Sequence, residues 1–370
     1  MRRWDAVSGW GRPLGLLLLP LLLWTGPIAR LAATPAPSRD VVPLLLNVNL
    51  DDDPEQRWLP VLQRFDLNIL REEVKNAVKE QIPRWVYVVI KEIIDDLDGL
   101  LLEPYANEIR GICNALNISF VDGILFNLVY ESSVFCTSIV AQDTNGHIYH
   151  ARNLDYEPGE GLRNFTVDVQ FIKNGQIAYT GTTFVGYVGI WTGQSPNKFT
   201  ISGNQRDKGL WWENAVAALV KRHLPISWVF RNTLEEAQNF DDAVQRLSET
   251  PLITNVYCII GGVSDREGAV ISRNRVGPVD IWLLNPEREW FLVQTNCDHW
   301  KPCPLSDHRR IPAIKAVNET GQANVNLDKL YEILTICPIL NQKTVYTTIM
   351  SAADPDKYTT RIRNPNESCE

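Results

Sequence analysis

The chain has 370 residues, with 36 basic against 44 acidic side chains and a formal charge of −8. That balance offers no electrostatic footprint for nucleic acid, and no basic stripe interrupts it. An apolar content of 45% is ordinary for a globular protein and is enough for a sizeable core.

Taken in chain order, the first segment reads as a targeting sequence. Arg2 and Arg3 precede the apolar run Leu14 to Trp24, and small residues follow from Ala29 to Ala36. This pattern predicts a secretory signal over residues 1–33 and is too short to span a bilayer. A membrane anchor is the alternative reading. Residues 57–131 then read as helix-rich. Arg57 to Gln81 carries Leu59, Leu62, Leu67, Leu70, Val74 and Val78 near helical spacing. Pro83 opens a second apolar run through Trp85 and Val88 to Leu97, and a third covers Ile118 to Val129. These runs fit either core or a surface that touches lipid.

The character changes at Phe135. Cys136 to Gln142 and His147 to Leu154 read as two strands around Asn145-Gly146, a tight type I′ hairpin signal. Such a loop puts Cys136 opposite Asp155, and a longer loop shifts the partner by a residue or two. Either way, a thiol, the guanidinium of Arg152 and a carboxylate share one sheet end. A second hairpin, Thr166 to Ile172 and Gln176 to Thr183, turns at Asn174-Gly175. Strands are expected at Phe184 to Trp191, Lys198 to Ser202, Val256 to Gly261, Ala269 to Arg273, Asp280 to Leu284, Trp290 to Thr295 and Thr344 to Met350. Helices are expected at Asp207 to Arg222, Asp241 to Ser248 and Leu327 to Leu334. Hairpins followed by helices argue against a doubly wound parallel sheet.

Four sequons, at Asn117, Asn164, Asn318 and Asn366, fit a secretory route with glycosylation. Seven cysteines allow three bridges and one free thiol in an oxidising lumen. Cys297 and Cys303 are close enough to bridge locally, while the pairing of Cys113, Cys258, Cys337 and Cys369 stays open. Cys136 is the free nucleophile expected, since a neighbouring cation such as Arg152 favours a thiolate. A Cys–His pair through His150 is the alternative. Nothing points to a metal ion or a nucleotide, and Gly186 to Gly193 is too strand-like to cradle phosphate.

The run Cys136-Thr137-Ser138-Ile139-Val140-Ala141 with Gly146-His147-Ile148-Tyr149-His150-Ala151-Arg152-Asn153-Leu154-Asp155-Tyr156 closely resembles the acid ceramidase family. Supporting segments are Val185 to Gly193, Thr295 to Trp300 and Asp356 to Arg363, so the resemblance spans nearly the whole mature chain. It implies an α+β N-terminal-nucleophile hydrolase, an αββα sandwich of two antiparallel sheets flanked by helices. It also implies a zymogen that cuts its own Phe135–Cys136 bond, leaving residues 34–135 as a helical α chain held noncovalently to a catalytic β chain, 136–370.

The roles it implies are Cys136 as nucleophile, Asp155 as acceptor for the freed amine and Arg152 as the group that holds Asp155. Asn296 would be an oxyanion donor and Arg361 a further active-site arginine. Tyr156, Tyr187 and Trp191 would wall the substrate pocket. Competing readings are a strand-end ion pair for Arg152 and Asp155, a turn cap for Asn296 and core packing for the aromatics. The implied reaction is lysosomal hydrolysis of the amide bond of N-acylethanolamines, with N-acylsphingosines as the alternative substrate and an anionic membrane surface as partner. A noncatalytic lipid-binding glycoprotein is the competitor from another class. One departure is Asn204-Gln205-Arg206, where the family usually has Glu at the central position. Slower or pH-shifted maturation is the expected consequence.

Overall fold

The computed structural model describes residues 40–96, 103–131, 134–157, 159–206, 223–364 and 369. The expected signal, the helix expected at Asp207 to Arg222 and the Asn366 sequon lie outside the described residues. The N-terminal part opens with strand β1, Leu44–Asn49, and then forms helices. These are α1 Leu59–Leu62, α2 Leu67–Gln81, α3 Arg84–Asp96, α4 Tyr105–Leu116 and α5 Phe120–Val129. Local chemistry starts them. The Asp66 side chain accepts the N–H groups of Asn68 and Ile69 at α2, and Ser119 accepts that of Asp122 at α5. Among the described residues, no single helix is long and apolar enough to cross a membrane.

Two sheets follow. The smaller contains β2 Val134–Gln142 and β3 Ile148–Tyr156. The next helix is α6, Glu160–Phe165. It leads to β4 Thr166–Lys173, β5 Gln176–Phe184, β6 Thr192–Ser195 and β7 Phe199–Gln205. Helices α7 Ile226–Glu236 and α8 Phe240–Glu249 come next. They are followed by β8 Val256–Gly261, β9 Gly268–Arg273, β10 Pro278–Leu283 and β11 Phe291–Gln294. The chain ends with α9 Arg310–Thr320, α10 Leu327–Leu334, β12 Thr344–Met350 and β13 Thr359–Ile362. One sheet has eight strands in the order β1-β4-β5-β6-β7-β8-β9-β10, and the other has five in the order β11-β2-β3-β12-β13. All pairings are antiparallel except β1 with β4. This is the expected α+β sandwich.

Strand alternation decides which residues meet. Ile139, Ala141, Ala151 and Ile349 form the outer face of the five-stranded sheet. They pack with Ala313 and Val317 of α9 and Leu330 and Ile333 of α10. Cys136, Ser138, His150 and Arg152 occupy the other face, between the sheets. There the Ser138 hydroxyl lies 2.8 Å from that of Ser202 on β7.

The N-terminal helices are tied to the rest through a buried charge cluster. Glu108 on α4 accepts Arg231 Nη1 of α7 at 2.6 Å, Arg57 at 3.0 Å and Trp58 Nε1 at 2.7 Å. The carboxylate is thus buried with two guanidinium partners and an indole donor, and no charge is left unpaired in the core. It would hold the two parts together after a cut between them.

Three expectations need correction. The segment expected as a strand at Phe184 to Trp191 is a loop after residue 184, with Gly186 at φ +91°. Its backbone groups are satisfied outside a ladder: the Val188 N–H donates to Asn127 Oδ1 and the Gly189 carbonyl accepts the Thr183 hydroxyl. Of the three bridges that seven cysteines allow, the structure forms two, Cys297–Cys303 and Cys337–Cys369, which leave Cys113, Cys136 and Cys258 as buried free thiols. The first hairpin is also not a two-residue type I′ loop. Asp143 Oδ1 accepts both the Asn145 and His147 N–H groups, at 2.8 and 2.9 Å, and within the turn only Gly146 has a positive φ. This wider, side-chain-capped turn moves the register by one, so Cys136 pairs with Leu154 and Phe135 with Asp155. The second hairpin turns as expected, with Asn174 and Gly175 both at positive φ.

Candidate active site

Cys136 is fully buried on β2, and its thiol sits 2.6 Å from Arg152 Nη2 on β3. The two residues are diagonal neighbours on one sheet face, because Arg152 lies two residues from Leu154, the cross-strand partner of Cys136. The guanidinium is anchored through both Nη atoms. Nη1 donates to the Trp191 carbonyl at 2.8 Å and to the Thr192 hydroxyl, and Nη2 also donates to the Gly203 carbonyl at 2.9 Å. Burial pushes the Cys136 thiol up, and Arg152 pulls against it without cancelling the rise. Cys113 and Cys258 differ: burial pushes both up to about 12. They are inert thiols at any physiological pH.

The backbone nitrogen of Cys136 is held as well. Its N–H donates to Asn296 Oδ1 at 2.8 Å, and the same oxygen accepts Arg309 Nη2 at 2.8 Å. Two donors at one atom fix the amide orientation. Asn296 Nδ2 turns away and donates to the Gln205 carbonyl at 2.7 Å. In the uncut chain, then, Asn296 presents an acceptor to Cys136 rather than the oxyanion donor expected.

Arg152 does not hold Asp155. Residues three apart on a strand project to opposite faces, and Asp155 lies across from Phe135. Its carboxylate accepts Arg309 Nη1 at 2.9 Å, Asn341 Nδ2 at 3.0 Å and the Thr344 hydroxyl at 2.7 Å. Arg309, which the sequence reading missed, also donates to Asp307 at 2.9 Å, and Asp307 accepts the Asn296 N–H at 3.0 Å. One buried guanidinium thus joins the groups that flank the Phe135–Cys136 bond. A cleft of about 300 Å³ opens beside them, lined by Phe135, Asp155, Ser306, His308, Arg309 and Asn341.

Other expected residues fall elsewhere. Arg361 on β13 shares a row with Thr347 and Asn153, the face opposite Cys136, so the structure does not bring it to the thiol. His150 accepts or donates only to hydroxyls, at 2.8 Å to Thr200 and 2.9 Å to Ser202. Burial lowers it to about 3, so it stays neutral and is engaged away from the thiol. Tyr156 lines a cleft of about 170 Å³ with Leu70, Phe126, Tyr130, Phe165 and Phe184, and with Glu73, Asn76, Glu80 and Gln81 of α2. Tyr187 and Trp191 are instead hydrogen-bonded to each other in the core, at 3.0 Å. The sequon residues Asn117, Asn164 and Asn318 are all exposed. Cys297, Cys303 and Asp307 lie close enough to share a cation, but bridged sulfurs offer no thiolate ligand.

The loop bearing Asn296 and Arg309 is pinned by Asp298, which accepts Arg206 Nε at 2.9 Å and the Tyr257 hydroxyl at 2.8 Å. Burial pushes this carboxyl up, but the hydrogen bonds from Arg206, Tyr257 and Lys301 outweigh it and hold it at about 2. A depressed carboxyl contributes stability that persists above the unfolded value of 3.8 and is lost only as pH falls through about 2. Limited proteolysis of the segment 297–309 should therefore proceed equally slowly at neutral pH and at about pH 4.5, and should accelerate only below about pH 3.

Comparison with known proteins comes from sequence and structure alike. A profile described as the beta subunit of N-acylethanolamine-hydrolyzing acid amidase matches residues 43–102. A second, described as linear amide C–N hydrolases of the choloylglycine hydrolase family, matches residues 136–311, beginning at Cys136. N-acylethanolamine-hydrolyzing acid amidase of Mus musculus is 57% identical over 96% of this chain and 97% of its own. The protein of that name from Caenorhabditis elegans is 34% identical over 92% and 94%. Acid ceramidase of Mus musculus is 32% identical over 87% and 86%. A solved structure of the Caenorhabditis elegans N-acylethanolamine-hydrolyzing acid amidase ortholog superposes with a TM-score of 0.57 at 39% identity, covering 62% of this chain and 100% of that one.

Proposed function

The chain belongs to the N-acylethanolamine-hydrolyzing acid amidase family, and from that premise we propose how its residues carry out the reaction. It is an amide hydrolase of the N-terminal-nucleophile type. Its substrates are N-acylethanolamines, which it cleaves to a fatty acid and ethanolamine. The observation that carries this reading is the double hold on one residue: Arg152 at the Cys136 thiol and Asn296 at the Cys136 nitrogen.

Maturation comes first. Sγ of Cys136 adds to the Phe135 carbonyl carbon, and the C–N bond breaks to leave a thioester and a free α-amine. Water then cleaves the thioester, so residues 34–135 end in a carboxylate at Phe135 and the second piece begins at Cys136. The same two groups then act on substrate. Sγ adds to the amide carbonyl, the α-amine carries the thiol proton to the departing ethanolamine, and water releases the fatty acid. Asn296 Oδ1 and the Asp155–Arg309 pair are placed to orient the new amine. The aromatic cleft beside Tyr156 is the place for the acyl chain, two residues along β3 from the partner of Cys136.

The signal pattern and the exposed sequons support a lysosomal glycoprotein. Exposed Trp85 and Val88 on α3 support peripheral contact with an anionic bilayer, which vesicle flotation at acid pH tests. Incubation at acid pH should yield a new N-terminus at Cys136 by sequencing. The matured sample should hydrolyse N-palmitoylethanolamine faster than ceramide. A new terminus elsewhere, or ceramide strongly preferred, would overturn the maturation or the substrate reading respectively.

A further inference from the structure

Glu131 plays no part in the scheme above, yet its buried carboxylate heads a run of hydrogen bonds that reaches the nucleophile through the side chain and the backbone carbonyl of Trp191. Oε1 accepts the Tyr187 hydroxyl at 2.8 Å, and that oxygen accepts Trp191 Nε1–H at 3.0 Å. The Trp191 carbonyl accepts Arg152 Nη1 at 2.8 Å, and Arg152 Nη2 lies 2.6 Å from Cys136 Sγ. The run begins just past the end of α5, five residues before Cys136, so it crosses from one future piece of the enzyme to the other.

We propose that Glu131 is a positioning residue for both self-cleavage and amide hydrolysis: in its neutral form it seats Tyr187 and Trp191 so that Arg152 is held against Cys136. The proposal rests on the acid amidase reading.

The surroundings of Glu131 explain why its charge state matters. The Ser227 hydroxyl donates to Oε1, and the Ser227 N–H approaches Oε2 at 3.5 Å. Tyr130 adjoins it on its own segment, packed against Tyr187 and Tyr156. Of the charged groups on the facing helix α7, Arg231 is committed to Glu108, and Glu235 and Glu236 lie at its far end. Arg152 lies beyond Trp191. No cation is among the hydrogen-bond partners of Glu131, so an ionised carboxylate there is a buried charge supported only by neutral donors: the Tyr187 and Ser227 hydroxyls and the Ser227 and Ile226 N–H groups at the start of α7. Burial pushes its carboxyl from 4.5 up to about 7, although Ser227, Tyr187 and the Ile226 N–H pull it down. The folded chain therefore holds this proton between about 4.5 and 7 while the unfolded chain releases it, so the contribution to stability falls as pH rises through that window. Acidification settles the run, and neutral pH loads it with a charge.

The test compares pH profiles of self-cleavage, read on denaturing gels, and of N-palmitoylethanolamine hydrolysis. Glu131→Gln is neutral at every pH and should move the alkaline limb of both profiles upward by at least about one pH unit. Ser227→Ala removes a donor that favours the ionised form and should move the limbs the same way. Combined with Glu131→Gln it should add nothing. Limbs superimposable on the parent in both variants would overturn the proposal. Should Glu131→Gln fail to fold, Ser227→Ala decides alone. A parent chain that splits at Cys136 but leaves N-palmitoylethanolamine intact would overturn the substrate reading instead, and its self-cleavage profile would still decide this one.

Discussion

Replacing Cys136 by Ala should leave the chain in one piece at acid pH and reduce amide hydrolysis by at least about ten-thousand-fold. Neither the other free thiols nor His150 can take over. Cys113 and Cys258 are buried thiols pushed up to about 12, and His150 is neutral and bonded to Thr200 and Ser202. The fold should survive, because the change removes one small buried atom and costs on the order of 1 kcal/mol. Cys136→Ser is the sharper variant. It keeps the volume and the backbone N–H to Asn296, but Arg152 then faces a hydroxyl that does not ionise. Self-cleavage should slow by orders of magnitude while thermal unfolding stays near that of the parent. Denaturing gels, N-terminal sequencing and hydrolysis rates check both variants. Cleavage at Phe135–Cys136 in the Ala variant would place the attacking group elsewhere.

The nucleophile and its cation were legible in the sequence because their proximity is local. A hairpin places residues sixteen apart within reach whichever turn closes it, and a thiol beside a guanidinium has few other uses. The strand parity that separates Arg152 from Asp155 was legible too, but was overridden by the attraction of pairing opposite charges. What stayed hidden depends on contacts distant in the chain. Arg309 reaches Asp155 across 154 residues, and Glu108 reaches Arg231 across 123. The only local sign of the former was charge density, Asp307-His308-Arg309-Arg310, which reads equally well as a solvated turn. Helix α4 lies inside the stretch that reads as helix-rich, but its own bounds are unmarked in the sequence for a related reason. Its buried residues include Glu108, a charge that local patterning assigns to solvent and only Arg231, Arg57 and Trp58 together make tolerable in a core. The loop at 185–191 was misread as a strand because its apolar and aromatic side chains are buried, but burial there is achieved by a loop whose backbone bonds end on Asn127 and Thr183.

Arg309→Ala should be the most damaging single change outside the nucleophile. The side chain is buried and donates to Asp155, Asn296 and Asp307, at 2.9, 2.8 and 2.9 Å. Its removal leaves two buried carboxylates without their cation, for which about 3–5 kcal/mol of lost stability is the expected scale. Asn296 loses one of the two donors that orient its oxygen toward the Cys136 nitrogen, so self-cleavage should fall with stability. Arg309→Lys should restore only part of either, because a single ammonium cannot reproduce a planar fork that serves three acceptors. The pH dependence separates this account from a simple packing defect. Burial alone would raise Asp307, and Arg309 with the Asn296 N–H holds it below its usual value. With the guanidinium gone, burial prevails and the carboxyl rises. In the parent, the contribution of Asp307 is present above its unfolded value. In the variant, the same group becomes a liability that grows as pH rises and the carboxylate ionises. The gap in thermal midpoint between parent and Arg309→Ala should therefore be wider at pH 7 than at about pH 4.5. An equal gap at both, with self-cleavage retained, would reduce Arg309 to a space-filling side chain.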